Sequence, residues 1–199
     1  MPQIDPIAIK NGNIYIWEIT ETKDSLLRIY GKALPDEYEK YKSLSHQKQF
    51  IVRQILLNKL NIEKIIHKNI DGKPLLDGKK HVSISHTNRY VAVAISSYPI
   101  GIDIEKKSKK IILIAPKFID NKCLFVIKRN KDEIYQIIWS AKESIYKLMS
   151  IKGLSFKNDI IIKSIDQKRR MGEAEVQQKT KTLFRYKKID KQHIIVWAV

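Results

Sequence analysis

The chain has 199 residues, of which 43% are hydrophobic and 30% charged, and these proportions are typical of a folded globular protein rather than a disordered one. Its single cysteine, Cys123, excludes an intramolecular disulfide and a cysteine-rich metal site. The formal net charge of +17 favours negatively charged partners, such as nucleic acids, phosphorylated cofactors or acidic proteins. No apolar run approaches the roughly 20 residues of a membrane helix, and the N-terminus lacks a signal-peptide pattern, so we expect a soluble, cytoplasmic protein without a membrane partner.

The first half of the chain has the pattern of a strand, a long helix and a group of short strands. Residues 13–19 alternate apolar side chains with others, which predicts a half-buried strand. Residues 36–60 carry apolar side chains near helical spacing and predict a helix, whereas the turn-forming residues of 69–78 predict a loop. Three further strands are separated by short breaks, which favours an antiparallel meander, and they cover residues 81–85, 90–96 and 100–105.

The second half follows a basic connection, Lys106–Lys110, which we interpret as the boundary between a domain of residues 1–105 and a domain of residues 106–199. Residues 111–118 give a faint helical signal. Residues 131–149 give a clear one, because their apolar side chains form a single stripe at helical period. Four strands are expected to follow, at residues 160–165, 173–180, 183–187 and 193–199.

The two halves resemble each other in pattern. Each runs from a helix into an antiparallel sheet, and Ile194–Val199 is similar in sequence to Tyr90–Ile95. This echo predicts an α+β protein with two similar halves, each an antiparallel sheet packed against a long helix. The halves are then a pseudo-two-fold duplication.

A pair of acids in Ile100-Gly-Ile-Asp-Ile-Glu105 is the first candidate site. Because side chains alternate along a strand, Asp103 and Glu105 share one face, roughly 7 Å apart, where a divalent cation can bridge them. Mg²⁺ is typically bound by one or two carboxylates together with substrate phosphates. Gly101 lies on that face and is expected to leave space for a ligand. An isolated pair of acids at this spacing more often lies on an exposed strand edge, where water solvates both carboxylates.

The second candidate site is the helical segment Trp139-Ser-Ala-Lys-Glu-Ser-Ile-Tyr-Lys147. Glu143 and Lys147 are four residues apart and therefore lie on one helix face, with Trp139 one turn earlier. A carboxylate that serves a metal or acts as a base, followed by a cation for a phosphate, is the functional interpretation. The alternative is a surface ion pair that contributes about 0.3–0.5 kcal/mol.

A third candidate is Ser83-Ile-Ser-His-Thr87 at a predicted strand end, where a hydroxyl and an imidazole can bind phosphate oxygens. Gly72-Lys73-Pro74 adds a lysine on a stiff turn. A turn residue or a core histidine is the commoner explanation of each feature alone.

In chain order these motifs are G-K-P, S-x-S-H, G-I-D-I-E and W-S-x-K-E-S-x-x-K, and their order resembles the 4′-phosphopantetheinyl transferases. The resemblance is to the longer, monomeric, surfactin-synthetase-activating type with two fused halves. It implies transfer of the 4′-phosphopantetheine arm of coenzyme A to a serine of an acidic acyl or peptidyl carrier protein. The reaction is expected to depend on Mg²⁺, with Mn²⁺ as an alternative, and to release 3′,5′-ADP.

The resemblance also implies roles for individual residues. The metal ligands would be Asp103, Glu105 and Glu143, with Glu143 also the general base that takes the proton of the carrier serine. Lys147 would stabilise the leaving 3′,5′-ADP. The residues expected to contact coenzyme A are Lys73, Ser85, His86, which is assigned to the 3′-phosphate, Lys142, and either Arg53 or Lys48 at the nucleotide end.

Three rival interpretations remain open in the sequence. A nucleic-acid-binding protein would account for the charge, but it predicts basic and aromatic residues clustered on one face, whereas the lysines are spread along the chain, so no nucleic acid is expected as partner. A Mg²⁺-dependent phosphohydrolase or nuclease could use the same carboxylates but leaves the other motifs without a task. An inactive homologue has no reason to retain three matching acids.

Overall fold

A computed structural model describes residues 3–62, 66–68, 74–76, 80–119 and 131–199. The chain divides into two compact units, Met1–Tyr98 (unit 1) and Pro99–Val199 (unit 2). Each unit contains one main antiparallel sheet and one long helix, which confirms the predicted α+β class and is consistent with a duplicated, two-half fold.

Unit 1 is built on a four-stranded antiparallel sheet in the order β1-β2-β6-β5, with a separate two-stranded sheet of β3 and β4. Its long helix, α2, packs against α1 and, within the sheet, mainly on β6. The elements are β1 (Gln3–Ile9), β2 (Gly12–Glu18), α1 (Lys23–Tyr30), a 3-10 helix (Asp36–Lys40), α2 (Leu44–Lys59), β3 (Ile66–Lys68), β4 (Pro74–Leu76), β5 (His81–His86) and β6 (Tyr90–Ser96).

Local signals in the sequence set the ends of the unit 1 helices. The Thr22 side chain accepts a hydrogen bond from Ser25 N at the start of α1, and Gly31, at φ 70°, ends that helix in the left-handed conformation. Ser43 caps α2 by accepting from His46 N. The helices then bury apolar side chains in one cluster with Trp17 of β2, which fixes them on the sheet.

Unit 2 contains a five-stranded antiparallel sheet in the order β7-β11-β10-β9-β8. Its long helix, α4, packs most closely on β7 and then on β11. The elements are β7 (Gly101–Lys106), α3 (Lys109–Ile114), a 3-10 helix (Ala115–Lys117), α4 (Lys131–Met149), β8 (Ile160–Asp166), β9 (Met171–Val176), β10 (Thr180–Lys188) and β11 (His193–Ala198).

The predicted helix over residues 131–149 is confirmed at both ends, and its stripe forms the centre of the unit 2 core. The helix expected over 36–60 is instead a 3-10 helix and then α2, because Tyr41 is extended and Ser43 begins a new helix. Strand β1 and helix α1 were not predicted. Within the expected loop 69–78, residues Pro74–Leu76 form β4, and the rest lies outside the described residues.

The meander prediction is wrong in its third strand. Strands β5 and β6 pair as expected. Strand β7 instead pairs with β11, from Gly101 opposite Ala198 to Lys106 opposite His193. For this reason the two units divide between Tyr98 and Pro99, one strand before the predicted boundary at Glu105. The motif that carries Asp103 therefore belongs to the same unit as α4. In the described parts of the chain, no helix is long and apolar enough to cross a membrane.

Candidate active site

Strand β7 and helix α4 of unit 2 lie in direct contact at Gly101. A Cβ atom added to this glycine would lie 1.9 Å from Ser144 O and 2.6 Å from Leu148 N, which are main-chain atoms of α4. The expectation that Gly101 leaves space for a ligand is therefore wrong, because the helix backbone occupies that space. The glycine instead brings α4 close enough to cover the face of β7 that carries the acids.

Asp103 and Lys147 form an ion pair between this strand and this helix. The Lys147 ammonium donates to Asp103 Oδ1 at 2.9 Å and to the Ile102 main-chain oxygen at 2.9 Å. The Asp103 side chain is 8% exposed and that of Lys147 is 29% exposed. Because water reaches the pair from only part of the surroundings, the attraction is stronger than that of an exposed ion pair.

Glu105 lies two residues further along β7 and is half-buried. Burial, followed by the negative charge of Asp103, raises the pKa of Glu105 from 4.5 to about 7, and Glu143 adds to this rise. Hydrogen bonds from the Lys106 main-chain N–H and from the Trp139 indole act in the opposite direction, because they favour the charged carboxylate. The site therefore holds Glu105 close to the point of ionisation at neutral pH.

Glu143, on α4, faces the same group of charges. Burial and then the Asp103 carboxylate raise the pKa of Glu143 above 4.5, while the neighbouring Lys147 ammonium lowers it. Asp103 thus acts electrostatically on both glutamates. We define these three carboxylates, Asp103, Glu105 and Glu143, as the acidic cluster.

The acidic cluster suits a hard divalent cation in its donor chemistry. Carboxylate oxygens are the ligands preferred by Mg²⁺ and Mn²⁺. Burial, and after it the negative charge of Asp103, raises the pKa values of both glutamates, and a bound cation would favour their charged forms. Among the described residues, no three or more His, Cys, Asp or Glu side chains form a group that could hold a metal ion, and Lys147 pairs with Asp103.

Trp139, whose indole N–H donates to Glu105, packs against two other aromatic rings. Its ring lies 5.2 Å from Phe118 in an edge-on arrangement and 5.5 Å from Phe156. Aromatic neighbours of this kind hold a large side chain in one orientation. The indole is therefore held in the position from which its N–H donates a hydrogen bond to the Glu105 carboxylate.

The structure places Lys142 away from solvent. Its side chain is fully buried, and the ammonium donates to the Phe156 main-chain oxygen at 2.6 Å. This contact fastens the segment after α4 back onto the helix. The prediction that Lys142 contacts a phosphate is not supported by this arrangement.

The residues predicted to contact coenzyme A in unit 1 lie at several different elements. Ser85 is buried and His86 is exposed, and both lie at the end of β5. Arg53, on α2, pairs with Glu37 at 3.3 Å and stacks 4.5 Å from the Phe50 ring centre. Lys48 is half-buried on the same helix, and Lys73 lies outside the described residues.

Sequence reasoning missed two buried glutamines. One contacts the strand that carries Glu105, and the other contacts the turn that follows His86. Gln136 of α4 donates through Nε2 to the main-chain oxygens of Glu105, at 3.0 Å, and of Gln192, at 3.3 Å. Gln49 of α2 donates through Nε2 to the main-chain oxygen of Thr87 at 2.9 Å. Helical spacing gives a signal for Gln136, because it lies two turns before Glu143 on the same helix face.

Strand β7 and helix α4 thus bring the acidic cluster and Lys147 together within one α+β unit. No family model matches the chain. The curated proteins similar to it include the 4′-phosphopantetheinyl transferase gsp of Aneurinibacillus migulanus (35% identity), and from Bacillus subtilis the 4′-phosphopantetheinyl transferases Sfp (strain 168; 36%) and ffp (36%).

Each of these alignments spans 115 residues. They cover 53% of this chain and 47% of gsp, and 55% of this chain and 50% of both Sfp and ffp. The matched region is thus about half the length of the curated relatives. The matches confirm the resemblance to the 4′-phosphopantetheinyl transferase superfamily that the motifs predict, and the surfactin-synthetase-activating type is consistent with them.

Proposed function

We propose that this protein transfers the 4′-phosphopantetheine arm of coenzyme A to a serine of an acyl or peptidyl carrier protein. The observation that carries the proposal is the acidic cluster with Lys147, brought together by β7 and α4. The similarity to proteins named 4′-phosphopantetheinyl transferase supplies the reaction class.

In the proposed reaction, the carrier serine oxygen attacks the phosphorus that bears the pantetheine arm. The bond from this phosphorus to the bridging oxygen of the pyrophosphate breaks, and 3′,5′-ADP leaves. Such a transfer depends on positioning and on electrostatic stabilisation, without a covalent intermediate on the protein. A bound Mg²⁺ or Mn²⁺, held by Asp103, Glu105 and Glu143, would neutralise charge on the phosphates.

Glu143 is the proposed general base for the serine proton. Burial raises its pKa above that of a free glutamate, and a base whose pKa is closer to neutrality holds an abstracted proton better. Glu105, with a pKa of about 7, is a second carboxylate that could accept the proton. The resemblance assigns it to the metal, so Glu143 remains the choice for the base.

Lys147 is proposed to stabilise the leaving 3′,5′-ADP. Its ammonium lies 2.9 Å from Asp103 Oδ1, so a phosphate held at the acidic cluster would be within its reach. A lysine is a compact cation with three donors on a flexible stem, which suits a group that moves from one oxygen to another.

The unit 1 residues enter the proposal through the resemblance. We propose that Ser85, His86 and Lys73 contact the coenzyme A phosphates, with His86 at the 3′-phosphate and with Arg53 or Lys48 at the nucleotide end. The proposal also takes the protein as a cytoplasmic monomer, and the net charge of +17 as an aid to the encounter with an acidic carrier.

Mass spectrometry of a purified apo carrier protein, incubated with this protein, coenzyme A and Mg²⁺, tests the proposal. The expected result is a mass gain of one phosphopantetheine that is absent when EDTA replaces the metal. The Glu143→Gln variant serves as the matched control and should give little gain. No gain with several carrier types, together with no binding of coenzyme A, would contradict the proposed function.

A further inference from the structure

We infer that two buried glutamines, Gln136 in unit 2 and Gln49 in unit 1, are positioning residues that hold the main chain beside the proposed site residues. This inference rests on the proposed function. The glutamines would act by orienting site residues and would not touch the substrate or the metal themselves. Both glutamines lie in the second turn of the long helix of their unit. Both are almost completely buried, at 4% exposed for Gln136 and 6% for Gln49.

Gln136 uses both N–H groups of its amide. One bond goes to the main-chain oxygen of Glu105 and the other to that of Gln192, in the turn before β11. A glutamine amide nitrogen has two donors, so two carbonyl acceptors satisfy it and also determine which way the amide points. The Gln192 oxygen accepts in addition from Lys107 N at 2.6 Å. Gln136 therefore ties α4 to the end of β7 where Glu105 is presented.

The contact completes a series along one face of α4. Gln136 holds the Glu105 main chain, Trp139 acts on the Glu105 side chain, and Lys147 holds Ile102 O and Asp103 Oδ1. Glu143 lies between Trp139 and Lys147 on the helix. The whole acid-bearing stretch of β7 is thus fixed relative to Glu143. A group that orients a ligand residue contributes to a metal site without touching the metal.

Gln49 makes the corresponding contact in unit 1. Its amide nitrogen donates to Thr87 O at 2.9 Å and to Ser45 Oγ at 3.3 Å. Thr87 follows His86 directly, and the Thr87 hydroxyl accepts from the main-chain N–H groups of Arg89 and Tyr90, which closes the turn. Gln49 therefore holds the turn that presents His86, as Gln136 holds the strand end that presents Glu105.

The test measures two properties in each variant: Mn²⁺ binding followed by electron paramagnetic resonance, and the KM for coenzyme A against its 3′-dephospho form. Gln136→Met should raise the Mn²⁺ concentration at half-saturation about tenfold, as expected for loss of an orienting neighbour, and leave the preference for the 3′-phosphate unchanged. Gln49→Met should do the opposite: Mn²⁺ binding unchanged, KM for coenzyme A raised and the preference reduced.

Gln54→Met is the matched control, since Gln54 is an equally buried glutamine on α2 that the proposed function does not use. Circular dichroism establishes that each variant is folded. If Gln136→Met does not fold, Gln136→Asn replaces it, because the shorter amide keeps polarity but cannot reach both carbonyls.

The outcomes separate the inference from the proposed function. If the wild-type protein transfers phosphopantetheine and binds Mn²⁺ but both variants behave as Gln54→Met does, the inference is overturned and the function stands. A wild-type protein that neither transfers nor binds Mn²⁺ overturns both. Crossed effects, with each variant changing only its own property, support the inference.

Discussion

Units 1 and 2 follow one plan but bring their long helix onto the sheet in different ways. In each unit an early strand, β2 or β7, pairs with the last strand, β6 or β11, and the long helix lies between them in sequence. Within the sheet of its unit, helix α2 packs mainly on the last strand, whereas α4 packs most closely on the early strand.

The residues of the early strands explain this difference. On β2 the side that packs with α2 carries Tyr15 and Trp17, and Trp17 is fully buried in the apolar cluster. On β7 the corresponding side carries Gly101 and Asp103. Large aromatic side chains fill the space under a helix and stabilise the fold, whereas a glycine lets the helix come down onto the strand. The same plan therefore places aromatic side chains between strand and helix in unit 1 and a buried ion pair between them in unit 2.

Removing the charge of Asp103 should have the largest effect. Asp103→Asn keeps the size of the side chain but removes the carboxylate that acts on Glu105, Glu143 and Lys147. We expect transfer to fall by about 10³-fold, as for loss of one preorganised electrostatic group, while the protein stays folded. Carrier modification by mass spectrometry and Mn²⁺ binding measure the effect.

The control for Asp103→Asn is Glu18→Gln, which changes the acid at the end of β2 in unit 1. Mn²⁺ binding should be the same in this variant as in the wild type. Normal Mn²⁺ binding and transfer by Asp103→Asn would remove the acidic cluster from the proposal.

The two glycines that begin the early strands offer the next test. A Cβ at Gly101 would meet the α4 backbone, and one at Gly12 would lie 2.1 Å from Ile95 O on the neighbouring strand β6. Each alanine should therefore cost about 1–3 kcal/mol of unfolding free energy through overpacking. Only Gly101→Ala displaces α4 from β7, so it alone should weaken Mn²⁺ binding. Equal Mn²⁺ binding in both variants, by resonance titration, would show that the close helix contact does not shape the site.

The sequence predicts the chemistry of this site better than its packing. Alternation along a strand places Asp103 and Glu105 on one face, and helical spacing places Glu143 and Lys147 on one face of a helix. The structure has all four in unit 2, whereas the boundary predicted at Glu105 assigned the two pairs to different halves. The sequence did not predict that β7 joins the second sheet, because the pairing of a strand depends on partners distant in the chain. It also did not reveal the role of Gly101, because one sequence does not show which element packs against a glycine.

Burial of polar residues was the other feature that pattern alone did not predict. Lys142 stands in a motif that resembles phosphate-binding ones, yet its ammonium bonds the Phe156 oxygen inside the unit. Gln136 and Gln49 carry no chemical signal of their own, because an amide is important here only through the carbonyl groups that the fold places beside it. Such contacts follow from tertiary packing, which one sequence does not specify residue by residue.

The raised pKa of Glu105 in unit 2 makes the stability of the protein depend on pH. Without metal, native Glu105 keeps its proton up to about pH 7, whereas in the unfolded chain it ionises near 4.5. The native state therefore binds more protons between these values, and its stability falls as pH rises through that window. The melting temperature in EDTA should decline more from about pH 5 to about pH 8 in the wild type than in Glu105→Gln. Parallel curves for the two proteins would contradict the raised pKa.

The smallest effects come from the ion pairs that each unit makes on its early strand. Arg89 pairs with Glu18 of β2 at 2.5 Å, and these side chains are 54% and 25% exposed, whereas those of Lys147 and Asp103 are 29% and 8% exposed. Water screens the first pair, so Arg89→Met should cost less than about 1 kcal/mol of unfolding free energy. Lys147→Met should cost more, because it leaves the buried Asp103 carboxylate without its ammonium. Urea unfolding of both variants measures the difference. A larger loss in Arg89→Met than in Lys147→Met would show that burial does not make the Lys147–Asp103 pair more important for stability than the Arg89–Glu18 pair.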